Sequence, residues 1–299
     1  MLALVGPTAT GKSAIAMMVA EMRGDIEIVA VDAMQVYRRM DIGTAKATAR
    51  EQQLVRHHMI DIAEPSVDYS LSLYQRDALA AIADIEARGH VPLLVGGTGL
   101  YLRAIVDQLD IPPQFESIRT ALDADGDTLG LHRRLAEVDP VAASRMEPSN
   151  RRRILRALEV TLGSGRPFSS FGPGLAAYGS TTTRLLSVGM ARPVLDSRIE
   201  ARYAQQMEMG LLDEVRGLLD EPAGLSRTAA QALGYKELID HVRGDVTLAD
   251  ALASAIGRTK RFARRQERWF RRDPRIRWLD GANPLEARDA VLEECNPCD

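Results

Sequence analysis

Along the first 110 residues, unbroken apolar runs alternate with stretches in which apolar positions recur every three to four residues. The runs are Leu2-Ala3-Leu4-Val5, Ile26 to Val31 (interrupted only by Glu27) and Val91 to Val95. Apolar runs this short and continuous read as strands buried on both faces, as in a parallel sheet. Between them the periodicity predicts a helix from Lys12 to Met22. A second is predicted from Ser70, as N-cap, to about Arg88, with Tyr74, Ala78, Ala81, Ile82 and Ile85 on one face and Gly89 as terminator. A short helix follows from Leu100 to Val106. Strands alternating with helices predict an α/β fold.

The pattern changes after Asp110. Ile111-Pro112-Pro113 reads as a linker, Ser117 to Leu162 as charged helix, and the Gly-, Ser-, Thr- and Pro-rich stretch Gly163 to Thr183 as loop. A strand signal returns at Leu185 to Met190. Long amphipathic helices are predicted from Asp196 to Leu219 and from Thr247 to Arg271. The expected organisation is an α/β core made of 1–110 and 184–299, with 111–183 as a helical insertion domain.

The first strand runs into Gly6-Pro7-Thr8-Ala9-Thr10-Gly11-Lys12-Ser13, which fits G-x-x-x-x-G-K-[ST] in the strand–loop–helix context that such a loop requires. Its glycines let backbone N–H groups turn inward, the following helix adds its positive end, Lys12 supplies a cation, and Ser13 a hydroxyl for Mg²⁺ or phosphate. The expected core is therefore a P-loop NTPase-like parallel sheet flanked by helices. The motif establishes a bound di- or triphosphate but not ATP hydrolysis. In such sheets ligands sit at the carboxyl ends of the strands. That edge carries the loop, Asp32 and Gly96-Gly97-Thr98-Gly99, and so nominates Asp32 and Thr98 as site residues.

Composition changes this picture little. Of 299 residues, 45% are hydrophobic and 26% charged, the ordinary range for a globular protein, and no apolar run approaches a membrane span. The first strand begins almost at Met1, so no targeting segment is expected. Two cysteines, Cys295 and Cys298, exclude a disulfide framework and favour a cytoplasmic location. Their lone C-x-x-C reads as a frayed tail rather than a metal or redox motif. Net charge is −3, but arginines cluster at 151–153 and 156 and again from Arg258 to Arg277. Those two segments read either as polyanion surfaces or as solvated helix faces.

Several further blocks do not look like generic kinase sequence: Val31 to Lys46, His57 to Asp61, Gly96 to Leu102, Arg153 to Val160, Leu233 to Leu238, and Arg264 to Phe270. In this order, from Leu4 to about Leu279, they resemble the bacterial tRNA dimethylallyltransferase (tRNA isopentenyltransferase) family. The resemblance implies transfer of a dimethylallyl group from dimethylallyl diphosphate to N6 of adenosine 37, beside the anticodon of tRNAs reading codons that begin with U. It implies Asp32 as general base. Lys12, the loop amides, Mg²⁺ and arginines at 198 and 202 would serve the leaving diphosphate, and Thr98 would stand in the catalytic group. Asp32, Ala33, Met34, Gln35, Thr98, Arg119, the segment Arg152-Arg153-Ile154-Leu155-Arg156, and Gln231, Gly234, Tyr235 and Lys236 match tRNA-contacting positions. The implied partners are the tRNA anticodon stem-loop and dimethylallyl diphosphate. A monomer is expected.

Other readings stay open at this point. Asp32 could hold Mg²⁺ as in a small-molecule or nucleoside kinase, although the strand at Val91–Val95 ends in glycines with no Walker-B acid. A noncatalytic RNA-binding protein with a nucleotide-gated loop would leave Asp32 without a role. Thr98 could only cap the Leu100 helix, and Arg153 and Arg156 could be a solvated face. His57-His58 reads as packing or loop contacts, and Trp269-Phe270 as core. Arg261, Arg264, Arg265 and Arg268 share one helix face, for a phosphate backbone, a diphosphate or solvent. Two positions depart from the family pattern: alanine at 33, where serine is common, and arginine at 39, where glycine is commoner. The arginine argues against φ > 0 there.

Overall fold

The computed structural model describes residues 1–295. The chain divides into two compact units, Met1–Val106 with Ser180–Asp299, and Asp107–Gly179. In the larger unit, β1 (Leu2–Val5) leads to α1 (Lys12–Arg23), β2 (Ile26–Val31), α2 (Ala49–Leu54), β3 (His57–His58), α3 (Leu71–Ala87), β4 (Val91–Gly96) and α4 (Gly99–Val106). The smaller unit holds α5 (Glu116–Asp123), α6 (Thr128–Val138), α7 (Pro140–Ser144) and α8 (Arg151–Ser164). The chain returns through β5 (Arg184–Gly189), α9 (Arg192–Glu208), α10 (Leu211–Asp220), α11 (Arg227–Ala230), α12 (Tyr235–Val242), α13 (Leu248–Phe270), β6 (Ile276–Asp280) and α14 (Pro284–Cys295).

The six strands form one sheet in the order β3-β2-β4-β1-β5-β6, and every pairing is parallel. The apolar runs are continuous because both faces are covered. Ala3, Val5, Val29, Val31 and Leu94 enter one core layer with Tyr74, Leu102 and Phe270. Leu2, Leu4, Ile26, Ile28, Leu93 and Val95 enter the other with Ile15, Val19 and Val291. β1 lies between β4 and β5, in register Val5↔Gly96 and Val5↔Ser187. The loops after β1, β2 and β4 therefore leave from one edge of the sheet.

Ser70 caps α3 by accepting the N–H of Leu73 at 3.3 Å, and Gly89 follows the helix end at φ +76°. The single helix expected over Asp196–Leu219 is instead two, α9 and α10. Gly210, at φ +97°, turns the chain between them, a conformation that lacks a Cβ penalty only in glycine. β3 and β6 carry too little pattern to be read from sequence, being two residues long and a half-exposed edge respectively. The frayed tail expected around the cysteines is replaced, at Cys295, by the last residue of α14, a half-buried free thiol; Cys298 lies outside the described residues. Among the described residues no helix is long and apolar enough to cross a membrane.

The smaller unit has its own core of Leu122, Leu131, Leu135, Ala142, Ile154, Leu155 and Leu158. Asp139 is almost fully buried. It caps α7 through the N–H of Ala142 at 2.9 Å and accepts both the N–H and the hydroxyl of Ser169.

On β2, buried Glu27 is ringed by cations. Its carboxylate accepts both Arg88 nitrogens and lies 2.6 Å from the His58 ring. The Arg88 bonds, then His58, outweigh burial and hold it down at about 2. A carboxylate depressed from 4.5 stabilises the fold above that value, and this contribution is lost as pH falls through 2. Urea unfolding between pH 5 and pH 2.5 is expected to lose roughly 2 kcal/mol of stability from this group. Glu27→Gln is expected to be less stable at pH 7 and to show a flatter acid limb; an equally steep limb would remove Glu27 as its cause.

Candidate active site

The site is assembled at the carboxyl edge of the sheet. Gly6 opens the phosphate loop at φ +142°, and a Cβ there would stand 2.6 Å from the carbonyl oxygen of Val188. Only glycine lets the loop pass β5 this closely. Inside the loop, the Thr10 hydroxyl donates to the Pro7 carbonyl at 2.9 Å, and Lys12 Nζ to the same oxygen at 3.3 Å. The Thr8 hydroxyl accepts a hydrogen bond from Arg202 Nη1 at 3.1 Å. Arg198, one turn earlier on α9, brings its Nη1 to 3.7 Å from the Cβ position of Gly11. Thus α9 lays two guanidinium groups against the loop.

These cations are short of counter-charge. Burial pushes Lys12 down to about 8, helped by Arg202 and opposed by Asp32. Burial likewise lowers Arg202, with Tyr203 and Asp32 pulling it back. Lys12, Arg202 and Asp32 therefore feel one another in a single locus, and an anion bound there would relieve the desolvated positive charge.

Asp32 follows the end of β2. One oxygen accepts the N–H of Met34 at 2.8 Å, which fixes the carboxylate and leaves its second oxygen for a ligand. Thr98 comes from the end of β4. Its carbonyl accepts the first bonds of α4, while its hydroxyl accepts the N–H of Ala33 at 3.2 Å. The hydroxyl is thus turned toward Asp32's loop rather than used as a helix cap, and its proton is left to donate. Ala33, without a hydroxyl of its own, takes part through its backbone.

Gln266, buried on α13, is a site residue to which the sequence alone assigns no role. Its Nε2 donates to the Gly97 carbonyl at 2.9 Å, and its Oε1 accepts the N–H of Thr8 at 2.9 Å. One amide therefore ties the phosphate loop to the loop bearing Thr98. The only sequence signal was a neutral amide amid arginines, three residues before Trp269. Trp269 packs over Gly99 and Phe270 is core, as read.

The loop after Asp32 is held from below. The Glu214 carboxylate accepts the N–H groups of Asp41, Ile42 and Gly43 at 2.9, 2.8 and 3.2 Å, and the Tyr235 hydroxyl at 2.6 Å. Gln206 donates to the Ile42 carbonyl, and buried Lys46 donates to the Tyr37 carbonyl, Asp41 and Asp61. Gln35 gives its Nε2 to the carbonyls of Thr44 and Ala45, leaving Oε1 open. Arg39 does adopt φ +60°, against the sequence expectation. Its ion pairs with Glu64 and Glu221 are half-exposed and worth at most about 1 kcal/mol each. The charge-assisted bonds to Glu214, about 1.5–3 kcal/mol apiece, are the larger offset to the backbone strain.

Other nominated residues fall elsewhere. Tyr235 is 1% exposed, with its hydroxyl consumed by Glu214, so its ring supports the loop rather than meeting a ligand. Gln231 is exposed, Gly234 donates its N–H to Glu237, and Lys236 pairs with Asp240 at 2.7 Å. Within the smaller unit, Ile154 and Leu155 are core and hold α8 in place. Arg152 and Arg153 are exposed on that helix. Arg156 donates to Glu159 and to the carbonyls of Pro112 and Pro113, and Arg119 stands 3.6 Å from Glu159, so these two are structural pairs rather than a solvated face. His57 and His58 make loop and Glu27 contacts, and among the described residues no cluster of three His, Cys, Asp or Glu could hold a metal.

That donor set is compatible with Mg²⁺ in its usual mode, in which substrate phosphates and waters supply most of the shell. The exposed Ser13 hydroxyl at the start of α1 would be the protein ligand.

The family model described as IPP transferase matches residues 35–273, and that described as isopentenyl transferase matches 1–67. The chain is 46% identical over 283 residues to a tRNA dimethylallyltransferase of Streptomyces coelicolor, covering 94% of this chain and 90% of the relative. It is 47% identical over 296 residues to one of Acidothermus cellulolyticus, covering 97% and 90%. Among solved structures, the full-length tRNA isopentenylpyrophosphate transferase of Bacillus halodurans superposes with TM-score 0.70 at 37% identity, covering 98% of this chain and 96% of that one. A eukaryotic dimethylallyltransferase acting on tRNA shares the fold at TM-score 0.82 and 22% identity, covering 100% and 80%.

The depressed Lys12 makes a pH prediction. Below about 8 the ammonium is charged and attracts a diphosphate; above it the cation is lost. In calorimetric titrations with inorganic pyrophosphate, the affinity advantage of wild type over Lys12→Met is expected to shrink as pH rises through about 8. An advantage constant from pH 6.5 to 9.5 would contradict it.

Proposed function

The chain belongs to the tRNA dimethylallyltransferase family, and from that premise we propose that it moves the dimethylallyl group of dimethylallyl diphosphate onto N6 of adenosine 37 in tRNAs reading codons that begin with U. The observation that carries this reading is the bond of Arg202 to Thr8 of the phosphate loop together with that of the Thr98 hydroxyl to the N–H beside Asp32, at a sheet edge where β4 ends in Gly96-Gly97-Thr98 with no acid.

The reaction asks little covalent chemistry of the protein. N6 attacks the allylic carbon, the carbon–oxygen bond breaks, and its electron pair leaves with the diphosphate. Lys12, the loop N–H groups, Arg198 and Arg202 neutralise the charge that develops on that leaving group. Mg²⁺ held through Ser13 and the diphosphate oxygens would supply further neutralisation when bound. The free oxygen of Asp32 receives the N6 proton. The Thr98 hydroxyl, anchored on Ala33 N–H, donates a hydrogen bond to the reacting base or to the substrate and so fixes their approach. The open Oε1 of Gln35 is an acceptor suited to an amino group.

A stacked base cannot reach a buried carbon, so adenosine 37 leaves its stack at a cost of a few kcal/mol. Ala33, Met34, Gln35, Gln231 and Lys236 are assigned to holding the anticodon loop. Arg152 and Arg153, on the helical unit, are assigned to phosphates of the anticodon stem. The protein is assigned to the cytoplasm as a monomer.

The test is to incubate the protein with labelled dimethylallyl diphosphate, labelled ATP and unmodified tRNA. Prenyl label is expected in tRNA, at adenosine 37 on mapping. Phosphate transfer to a small molecule, with no prenyl label in tRNA, would overturn the reading in favour of a kinase.

A further inference from the structure

Four donors from two distant segments converge on one carboxylate. Glu214, on α10, takes the N–H groups of Asp41 and Ile42 on one oxygen, at 2.9 and 2.8 Å. Its other oxygen takes the N–H of Gly43 at 3.2 Å and the Tyr235 hydroxyl at 2.6 Å. An ionised carboxyl group offers about four lone-pair sites, so this one is fully used and keeps none for a metal or a substrate proton. Tyr235 is committed in the same way. Burial, then the neighbouring Glu214 charge, pushes its hydroxyl far above the usual phenol range, so it stays a donor to Glu214.

The turn at 41–43 is gripped through its carbonyls as well. Gln206, buried on α9, gives Nε2 to the carbonyls of Ile42 and Gly43 at 2.5 and 3.3 Å. Gln206 stands about one helical turn after Arg202, whose guanidinium donates to Thr8 of the phosphate loop at 3.1 Å. One helix therefore carries a contact to the phosphate loop and a contact to the loop that follows Asp32. Gly43 completes the fit: a Cβ there would stand 2.6 Å from Cζ of the Tyr235 ring, so only glycine lets the turn lie against it.

What the turn holds is the segment that begins at Asp32. The carbonyls of Thr44 and Ala45, next along the chain, accept the Gln35 amide at 3.1 and 3.3 Å. Beside Gln35, the Met34 N–H fixes the Asp32 carboxylate at 2.8 Å. A run of bonds thus leads from Glu214 through the turn to Gln35 and Asp32. The phosphate loop is secured by different bonds, from Thr8 N–H to Gln266 and from Arg202 to the Thr8 hydroxyl. Asp213, the acid next to Glu214 on α10, is exposed and accepts from Arg216 at 3.0 Å, an ordinary surface pair.

We propose that Glu214 is a positioning residue for the transfer reaction. Its clasp on the 41–43 turn sets where Asp32 and Gln35 stand relative to the phosphate loop. It thereby sets the rate of the chemical step without contributing to diphosphate binding. The proposal rests on the reading of the protein as a tRNA prenyltransferase. Misplacing a reacting group by about 1 Å costs on the order of 10² in rate, so a turn that slackens even partly is felt at Asp32.

The test is single-turnover prenyl transfer at saturating tRNA and dimethylallyl diphosphate, at a temperature well below every variant's thermal melt. E214Q keeps the shape of the side chain but turns an amide N–H₂ toward two of the four donors. It is expected to lower the rate at least about tenfold, with the pyrophosphate dissociation constant within about twofold of wild type. D213N, on the same helix, is expected to change neither. G43A carries the same test if E214Q does not fold, because it pushes the turn off the Tyr235 ring with Glu214 intact, and the same split is expected. A rate within about twofold of wild type in the folded variant, whatever its melt, would make the clasp structural only and overturn the proposal. A loss of rate matched by an equal loss of pyrophosphate affinity would overturn it too. Failure of the underlying reading looks different: wild type itself would then transfer no prenyl group to tRNA.

Discussion

The crevice depends on one side-chain amide. Gln266 donates to the Gly97 carbonyl and accepts from Thr8 N–H, so the phosphate loop and the loop that carries Thr98 keep a fixed spacing. Parallel pairing of β1 with β4 brings the two loops to one edge, but pairing alone leaves their tips free. The tie is completed by Thr98, whose hydroxyl reaches across to Ala33 N–H and hence to the loop of Asp32. The phosphate loop, the loop of Thr98 and the loop of Asp32 are thereby joined by three hydrogen bonds running across the ends of β1, β4 and β2. Positioning of this kind is where a group-transfer enzyme gains most of its advantage when the protein forms no covalent bond itself.

The second constraint is electrostatic. Lys12 and Arg202 are partly buried beside one another, and burial weakens the charged form of both against the pull of Asp32. Such a site favours an anion, and in the proposed reading the diphosphate is that anion. The clasp beneath, made by Glu214, Gln206 and Lys46, keeps the Asp32–Lys46 segment from yielding, and it bears the strain of Arg39 at φ +60°.

Much of this could be read from sequence because the physics was local. A continuous apolar run between helices means a doubly covered strand, and G-x-x-x-x-G-K-S needs its own backbone to form the cradle. Asp32 and Thr98 were legible because topology puts strand ends on one edge. What escaped the sequence depends on distant partners. Glu214 looks like a surface helix acid until three N–H groups from residues 41–43 arrive at it. Tyr235 looks like a ligand contact until burial and Glu214 claim it. Arg39 looks unable to take positive φ until a carboxylate 175 residues further on holds its neighbours. Gln266 stands in a recognisable block, but the block does not say which two loops it joins. The break at Gly210 was visible as a glycine, yet a helix tolerates one, and only the packing of two separate helices required a turn.

The most direct test of the account is the role of Asp32. Asp32→Ala should lower single-turnover prenyl transfer to tRNA by at least about 10², while the dissociation constants for tRNA and for pyrophosphate stay near wild type. Near-normal transfer, or a loss of transfer matched by an equal loss of tRNA binding, would contradict it.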